Sequence, residues 1–289
     1  MKFAVIGGDM RQAKLAELLA ADGHGVATFA IDKIRLAEGV SQSDLAKTGV
    51  RDAECVVLPL PLQSREGMLS APLSGGLHTV REALSALRPE QIICAGRIDD
   101  NSREAADSMG LYITDYLERE EFAVLNAVAA AEGAVQLIME ETPVTVCGAR
   151  CLVIGFGRIG KILCHRLRGL GAEVTASARS FADLAWIRAY GYRAEETSKL
   201  DNKLGGYEVV VNTVPARVIG EARLRELMPD CLCLDLASKP GGMDFTAASK
   251  LGVKAMWALS LPGEVAPVTS GAIIRDTIYN ILRERGVLS

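Results

Sequence analysis

Cys151-Leu152-Val153-Ile154-Gly155-Phe156-Gly157-Arg158-Ile159-Gly160 is the stretch whose reading decides the fold. A short apolar run breaks into three glycines at G-x-G-x-x-G spacing. The residues beyond it, Ile159, Ile162, Leu163, Leu167 and Leu170, recur at helical intervals until Gly171 ends the pattern. Strand, glycine turn and helix in that order open a dinucleotide-binding unit: Gly155 permits the tight turn, Gly157 lets backbone approach a pyrophosphate, and Gly160 lets the helix lie close on the strand. The phosphates would sit at the helix N-terminus, where unpaired N–H groups and the helix dipole both favour anions. Phe156, Arg158 and Ile159 complete this expected cofactor loop.

The next strand, Glu173 to Ser177, bears on which nicotinamide cofactor fits. An acidic residue about 20 positions after the glycines would bond the ribose hydroxyls of NAD, whereas an arginine there accommodates the extra phosphate of NADP. Here the chain runs Val174-Thr175-Ala176-Ser177-Ala178-Arg179-Ser180, with no carboxylate at the strand tip. NADP is therefore favoured, with Arg179 and Ser180 as its phosphate clamp; NAD, with Arg179 as a solvated loop cation, stays open.

At 289 residues and 49% hydrophobic, the chain can bury two sizeable cores. A net charge of −4 with mixed signs offers no basic patch for nucleic acid. The N-terminal apolar run is too short for a signal-peptide core, and no uninterrupted apolar run reaches bilayer-spanning length, so no membrane is expected. Cysteines at 55, 94, 147, 151, 164, 231 and 233 form no C-x-x-C pair and read as buried thiols of a reducing cytoplasm. His24, His78 and His165 are mutually remote, so no metal site is expected. His24 reads as a turn residue and His165 as a packing or surface residue.

Residues 1–120 alternate strand and helix signals: strands at 2–6, 25–29, 55–58, 91–94 and 111–113, helices at 10–21, 77–87 and 101–109. A long helix follows from Glu120 to about Glu141, closed by Thr142-Pro143. The second half repeats the plan with strands near 151–154, 173–177, 192–194, 208–212, 231–235 and 253–256, and a terminal helix Ser270–Arg285. The fold class is α/β: two Rossmann-like, doubly wound parallel-sheet domains joined by a long helix. Residues 1–120 form a flavodoxin- or Rossmann-like substrate domain that a helix within 270–289 would complete, and 121–289 hold the linker helix and the nucleotide-binding domain.

Loops after parallel strands gather at the carboxyl edge, where ligands bind. Gly7-Gly8-Asp9-Met10-Arg11 lacks the dinucleotide spacing and reads as facing an interdomain cleft. There Arg11 would take a substrate carboxylate or equally be a helix-start surface residue, and Arg97 is a second anion contact. Thr213-Val214-Pro215 and Ala237-Ser238 should border the nicotinamide, with Asp235 a structural cap. The start of the last helix, Ser270-Gly271, offers another anion seat through its free N–H groups.

The layout resembles the D-2-hydroxyacid dehydrogenase architecture, yet no histidine follows His165, so the acid/base pair of those enzymes is missing. A closer resemblance, to the dipicolinate synthase A-subunit family, covers the whole chain. It is carried by Gly7-Gly8-Asp9-x-Arg11, by Asn126-x-x-Ala129-x-Ala131-Glu132-Gly133-Ala134 with Glu140-Glu141-Thr142, and by Gly155-Phe156-Gly157-Arg158-Ile159-Gly160. Asn212-Thr213-x-Pro215, Asp235-Leu236-Ala237-Ser238-x-Pro240-Gly241-Gly242 and Leu261-Pro262-Gly263-x-x-Ala266-Pro267 complete it.

The resemblance implies NADP-linked oxidation of dihydrodipicolinate to dipicolinate in the cytoplasm of the mother cell during sporulation, with the dipicolinate synthase B-subunit for a partner. Two substrate carboxylates need two seats, for which Arg11, Arg97, Lys239 and the Ser270-Gly271 helix start are candidates. Lys239 would be a proton acceptor if burial lowered its pKa, or else a plain surface lysine; Asp99 is a weaker base candidate. Two other readings stay open: an NAD(P)-dependent oxidoreductase of another small carboxylate, and a catalytically idle nucleotide-binding protein that docks a partner. The sequence is equally compatible with a homo-oligomer.

Overall fold

The computed structural model describes residues 1–45 and 48–288. The chain divides into two compact units, Met1–Asn126 with Ala266–Ser289, and Ala127–Val265. In the first unit the elements are β1 (Lys2–Ile6), α1 (Met10–Ala21), β2 (Gly25–Phe29), β3 (Val40–Gln42), α2 (Thr48–Arg51), β4 (Cys55–Val57), β5 (Gln63–Arg65), β6 (Met68–Leu69), α3 (Val80–Ser85), β7 (Ile92–Ala95), α4 (Asp100–Ser108), β8 (Ile113–Asp115) and the start of α5 (Glu120–Glu141). Its sheet runs β3-β2-β1-β4-β7-β8, every pair parallel, with β5 and β6 forming a separate small hairpin.

The second unit holds β9 (Arg150–Ile154), α6 (Arg158–Gly169), β10 (Glu173–Ala178), α7 (Phe181–Ala189), β11 (Arg193–Glu196), β12 (Val209–Asn212), α8 (Glu221–Leu224), β13 (Leu232–Asp235), α9 (Phe245–Leu251), β14 (Ala255–Trp257) and α10 (Leu261–Val265). Its sheet, β11-β10-β9-β12-β13-β14, is again wholly parallel and repeats the strand order of the first. The protein is thus α/β with two Rossmann-like sheets, each doubly wound.

The strands are apolar at successive positions because both sheet faces are covered. In β9, Cys151 and Val153 enter one core with Leu163 and Leu167 of α6, while Leu152 and Ile154 enter the core on the opposite face with Leu200 and Val210. In β1, Phe3 and Val5 face one core and Ala4 and Ile6 the other. α5 contributes to both units: Phe122 is buried in the first and Ala131, Ala134 and Ile138 in the second. An 18-residue window of α5 has mean hydropathy 1.6, enough by composition to cross a bilayer, so its apolar length exceeds the expectation from sequence. Those four buried residues are where part of it is spent.

The terminal helix α11 (Pro267–Glu284) returns to the first unit, burying Ile273, Ile274, Ile278, Ile281 and Leu282 against α1 and β1. It begins at Pro267, three residues before the expected Ser270, because proline at a first helical position loses no bonded N–H and has its φ already set. The helix expected over 77–87 is shortened to α3. Thr79 caps it by accepting from the Glu82 N–H, and Glu82 reciprocates at the Thr79 N–H, which leaves Leu77 outside and exposed. β8 lies at 113–115 rather than 111–113, and β11 at 193–196 rather than 192–194.

Candidate functional site

The second sheet reverses its winding between β9 and β12, and the loops after these two strands flank the crevice where such sheets bind ligands. A cavity of about 810 Å³ opens there. Gly155 through Ile159 line one wall, Thr213, Val214 and Pro215 another, and Arg179 and Ser180 the end beyond β10.

Two glycines are required by geometry. Gly155 has φ +98°, and a Cβ there would lie 2.4 Å from Thr213 Oγ1. At Gly160 a Cβ would stand 2.1 Å from the Gly155 carbonyl oxygen, so α6 can lie this close to the turn only without a side chain. Gly160 therefore acts from behind the cavity wall. Gly157 differs: its φ of −78° suits any residue and a Cβ there would meet nothing within 4 Å. It is the N-cap of α6, with no side-chain bond capping the helix, and a helix start of this kind favours an anion in front of it. The arrangement fits a diphosphate: open space, helix N–H groups and the favourable end of the helix dipole.

The far wall is held by a buried polar pair. Asp235 Oδ1 accepts from Asn212 Nδ2 at 2.7 Å and from the Ala237 N–H at 3.0 Å, and Oδ2 accepts from the Gly242 N–H at 2.7 Å. Asn212 Oδ1 accepts from the Val214 N–H, and Thr213 Oγ1 donates to the Ile154 carbonyl. Asp235 is thus the structural cap its position suggested, locking the loops after β12 and β13. Ala237 and Ser238 stand at the end of β13 outside the cavity lining; Ala237 is buried, its carbonyl accepting from Trp257 Nε1.

At the β10 end, Arg179 is exposed and makes no hydrogen bond or ion pair among the described residues, while Ser180 caps α7. Ser180 Oγ accepts from the Asp183 N–H at 3.0 Å and donates to Asp183 Oδ2 at 2.7 Å. Asp183 therefore also lines the cavity, as do Lys161 and Thr197. Sequence reasoning missed these three. The spacing S-x-x-D from Ser180 to Asp183 is a capping pattern that could have found Asp183; Thr197, which bonds Ser177 Oγ at 3.1 Å, carried no comparable signal.

The other expected residues are in the first unit or apart from this cavity. Arg11 is buried rather than exposed, its guanidinium clamped by both Asp9 carboxylate oxygens and the Leu60 carbonyl, so its charge is already answered. Ser270 and Gly271 do not begin a helix. The Ser270 N–H donates to the Ala266 carbonyl, and a Cβ on Gly271 would press within 2.9 Å of the Arg11 carbonyl and the Leu15 nitrogen. Their role is close packing of α11 on α1, which corrects the anion-seat expectation. Asp99 is the N-cap of α4. Burial raises its carboxyl, but hydrogen bonds from Ser102 Oγ and N–H outweigh this and hold it below the usual carboxylate range, away from the range of a base near neutrality. Lys239 is exposed in the turn after β13, and Arg97 is exposed in the loop after β7. No group of three metal-ligating side chains occurs among the described residues.

Residues 2–117 match the family model for the N-terminal domain of the dipicolinate synthase A-subunit. The dipicolinate synthase A-subunit of Bacillus subtilis (strain 168) is 29% identical over 98% of this chain and 96% of its own length. Its crystal structure superposes with a TM-score of 0.87, and that of the Bacillus halodurans A-subunit, 28% identical over 97% of each chain, with 0.88. A transhydrogenase from Sinorhizobium meliloti shares the fold at 16% identity, covering 98% of this chain and 94% of its own, with a TM-score of 0.73.

Proposed function

We propose that this chain is a member of the dipicolinate synthase A-subunit family, a nicotinamide-dependent oxidoreductase that converts dihydrodipicolinate to dipicolinate using NADP, partnered by the B-subunit of the synthase. The observation that carries the cofactor reading is the uncapped start of α6 behind Gly157, opening onto a cavity large enough for a dinucleotide. Arg179, unpaired at the tip of a strand that ends without a carboxylate, supports NADP over NAD.

In this reading the α6 N–H groups hold the diphosphate, Arg179 and Ser180 the extra phosphate, and the loop 213–215 shapes the nicotinamide end. The bound cofactor would supply the hydride acceptor. The ring of the substrate loses a hydride and a proton and becomes aromatic, so the residues are asked for positioning more than for a strong base. Lys239 is exposed, so the burial on which its role as proton acceptor depended is missing and it is left as a surface lysine. Arg97 is the substrate contact favoured by its unpaired guanidinium. The setting implied is the cytoplasm of a spore-forming mother cell.

A second reading, a nucleotide-binding protein that only docks its partner, is favoured by one observation: Asp99 and Arg11 are committed to structural bonds. The test is to incubate the purified chain with NADP and a dihydrodipicolinate-generating mixture, with and without the B-subunit, and to follow nicotinamide absorbance. Turnover by the chain alone removes the docking reading; no turnover under either condition removes the oxidoreductase.

A further inference from the structure

Arg97 combines a backbone held by its neighbours with a head group that has no hydrogen bond or ion pair among the described residues. It lies in the loop between β7 and α4 with φ +57°, a left-handed conformation that residues with a side chain rarely adopt. The loop is fixed there by its neighbours. The Gly96 N–H donates to the Pro59 carbonyl, and the Gly96 carbonyl accepts from the Leu62 N–H at 2.9 Å. A Cβ on Gly96 would stand 2.6 Å from Leu60 and 2.8 Å from Tyr116, so the strand end is packed to contact.

Asp115 completes the clamp. It sits at the end of β8, in register with Ala95 at the end of β7, and is buried. Its Oδ1 accepts from the Arg97 N–H at 3.1 Å and its Oδ2 from the Ile98 N–H at 2.9 Å, while Oδ1 also takes the Leu117 N–H at 2.8 Å. A buried carboxylate is thus spent on the backbone of a strained arginine, and Asp99 then caps α4 two residues on. The guanidinium so presented is exposed at the carboxyl edge of the sheet and has no hydrogen bond or ion pair among the described residues. Strain of this kind persists where the surroundings over-determine it, and it gathers at binding sites.

We propose that Asp115 is a positioning residue, holding Arg97 in its left-handed turn so that the guanidinium receives a carboxylate of the substrate. This rests on the dicarboxylate reading above. Arg11, the other arginine expected to meet a substrate carboxylate, is neutralised by Asp9 and leaves Arg97 as the open cation of the pair. A planar fork of donors matches a carboxylate in a way a lysine does not.

The experiment measures binding of pyridine-2,6-dicarboxylate to the chain with NADP present, together with melting temperature and NADP affinity. Glycine tolerates the turn, so Arg97→Gly should melt at or above the parent temperature while weakening dicarboxylate binding about tenfold or more. NADP affinity should stay within about twofold, since that cavity lies in the other unit. Arg97→Lys should recover part of the loss. Asp115→Asn should weaken dicarboxylate binding in the parent but add nothing in the Arg97→Gly background, because a residue that acts through another is silent once the other is gone.

Parent-like binding by Arg97→Gly overturns the inference, as does an Asp115→Asn loss of equal size in both backgrounds, or a parent chain that does not bind the dicarboxylate. Arg97-dependent binding without turnover supports the inference while removing the oxidoreductase reading, so the two failures are distinguishable.

Discussion

Arg179 and Asp183 set opposite charges within one cavity wall, and the cofactor phosphate would meet both. Arg179 carries no intramolecular partner among the described residues, whereas the Asp183 carboxylate is tied to Ser180 Oγ. Replacing Arg179 with Asp removes a charge-assisted contact and adds a repulsion. NADP affinity should fall by about 1.5–3 kcal/mol while NAD affinity holds, as read by nicotinamide fluorescence titration. An unchanged NADP affinity removes the clamp. That Arg179 and Ser180 line the cavity was legible because a Rossmann unit places its second strand tip at a known interval after the glycines. The different fates of Arg11 and Arg97 were not, since each is simply an arginine after a parallel strand. Only packing tells that Arg11 is enclosed by Asp9 and Leu60 and that Asp115, a strand away, grips the Arg97 backbone.

The two glycine-bearing helix starts behave as opposites. α1 is self-capped: Asp9 accepts from the Arg11 N–H, Gln12 returns a bond to the Asp9 N–H, and a Cβ on Gly8 would collide with the Gln12 side chain at 2.5 Å. A carboxylate and an amide occupy the ground an incoming phosphate would need. α6 has no such cap, so calorimetry should find one nucleotide per chain, and two would contradict this contrast. Gly160→Ala forces α6 off the turn and should cost about 1–3 kcal/mol of stability, read as a lower melting temperature in the second unit. The central strands were readable because burial on both faces makes them continuously apolar. β3 and the β5–β6 hairpin were missed because two or three half-exposed residues leave no period to detect. The early start of α11 was available in Pro267, but the apolar spacing from Ser270 onward drew the boundary later.

At the scale of the whole chain, one plan is executed twice, and the helix after the first strand is capped by a side chain in the first copy but not in the second. The first copy is completed by residues 266–289, which carry the helix α11 back to α1 after the second unit has been built. A linear reading suggests that return without securing it, because Ile273, Ile274, Ile278 and Ile281 announce an amphipathic helix but not the surface they will cover. The turn after β9 is the proposed seat of the cofactor diphosphate, and Gly157 separates that seat from folding. Its backbone accepts any residue and its Cβ direction is empty, so Gly157→Val should fold with a melting temperature lowered by no more than a few degrees, roughly the cost of a weaker N-cap. The decisive measurement is the NADP dissociation constant of Gly157→Val against the parent chain. The constant should rise about a hundredfold or more as the side chain fills the phosphate position, and an unchanged constant in a normally folded variant would exclude a diphosphate at this turn.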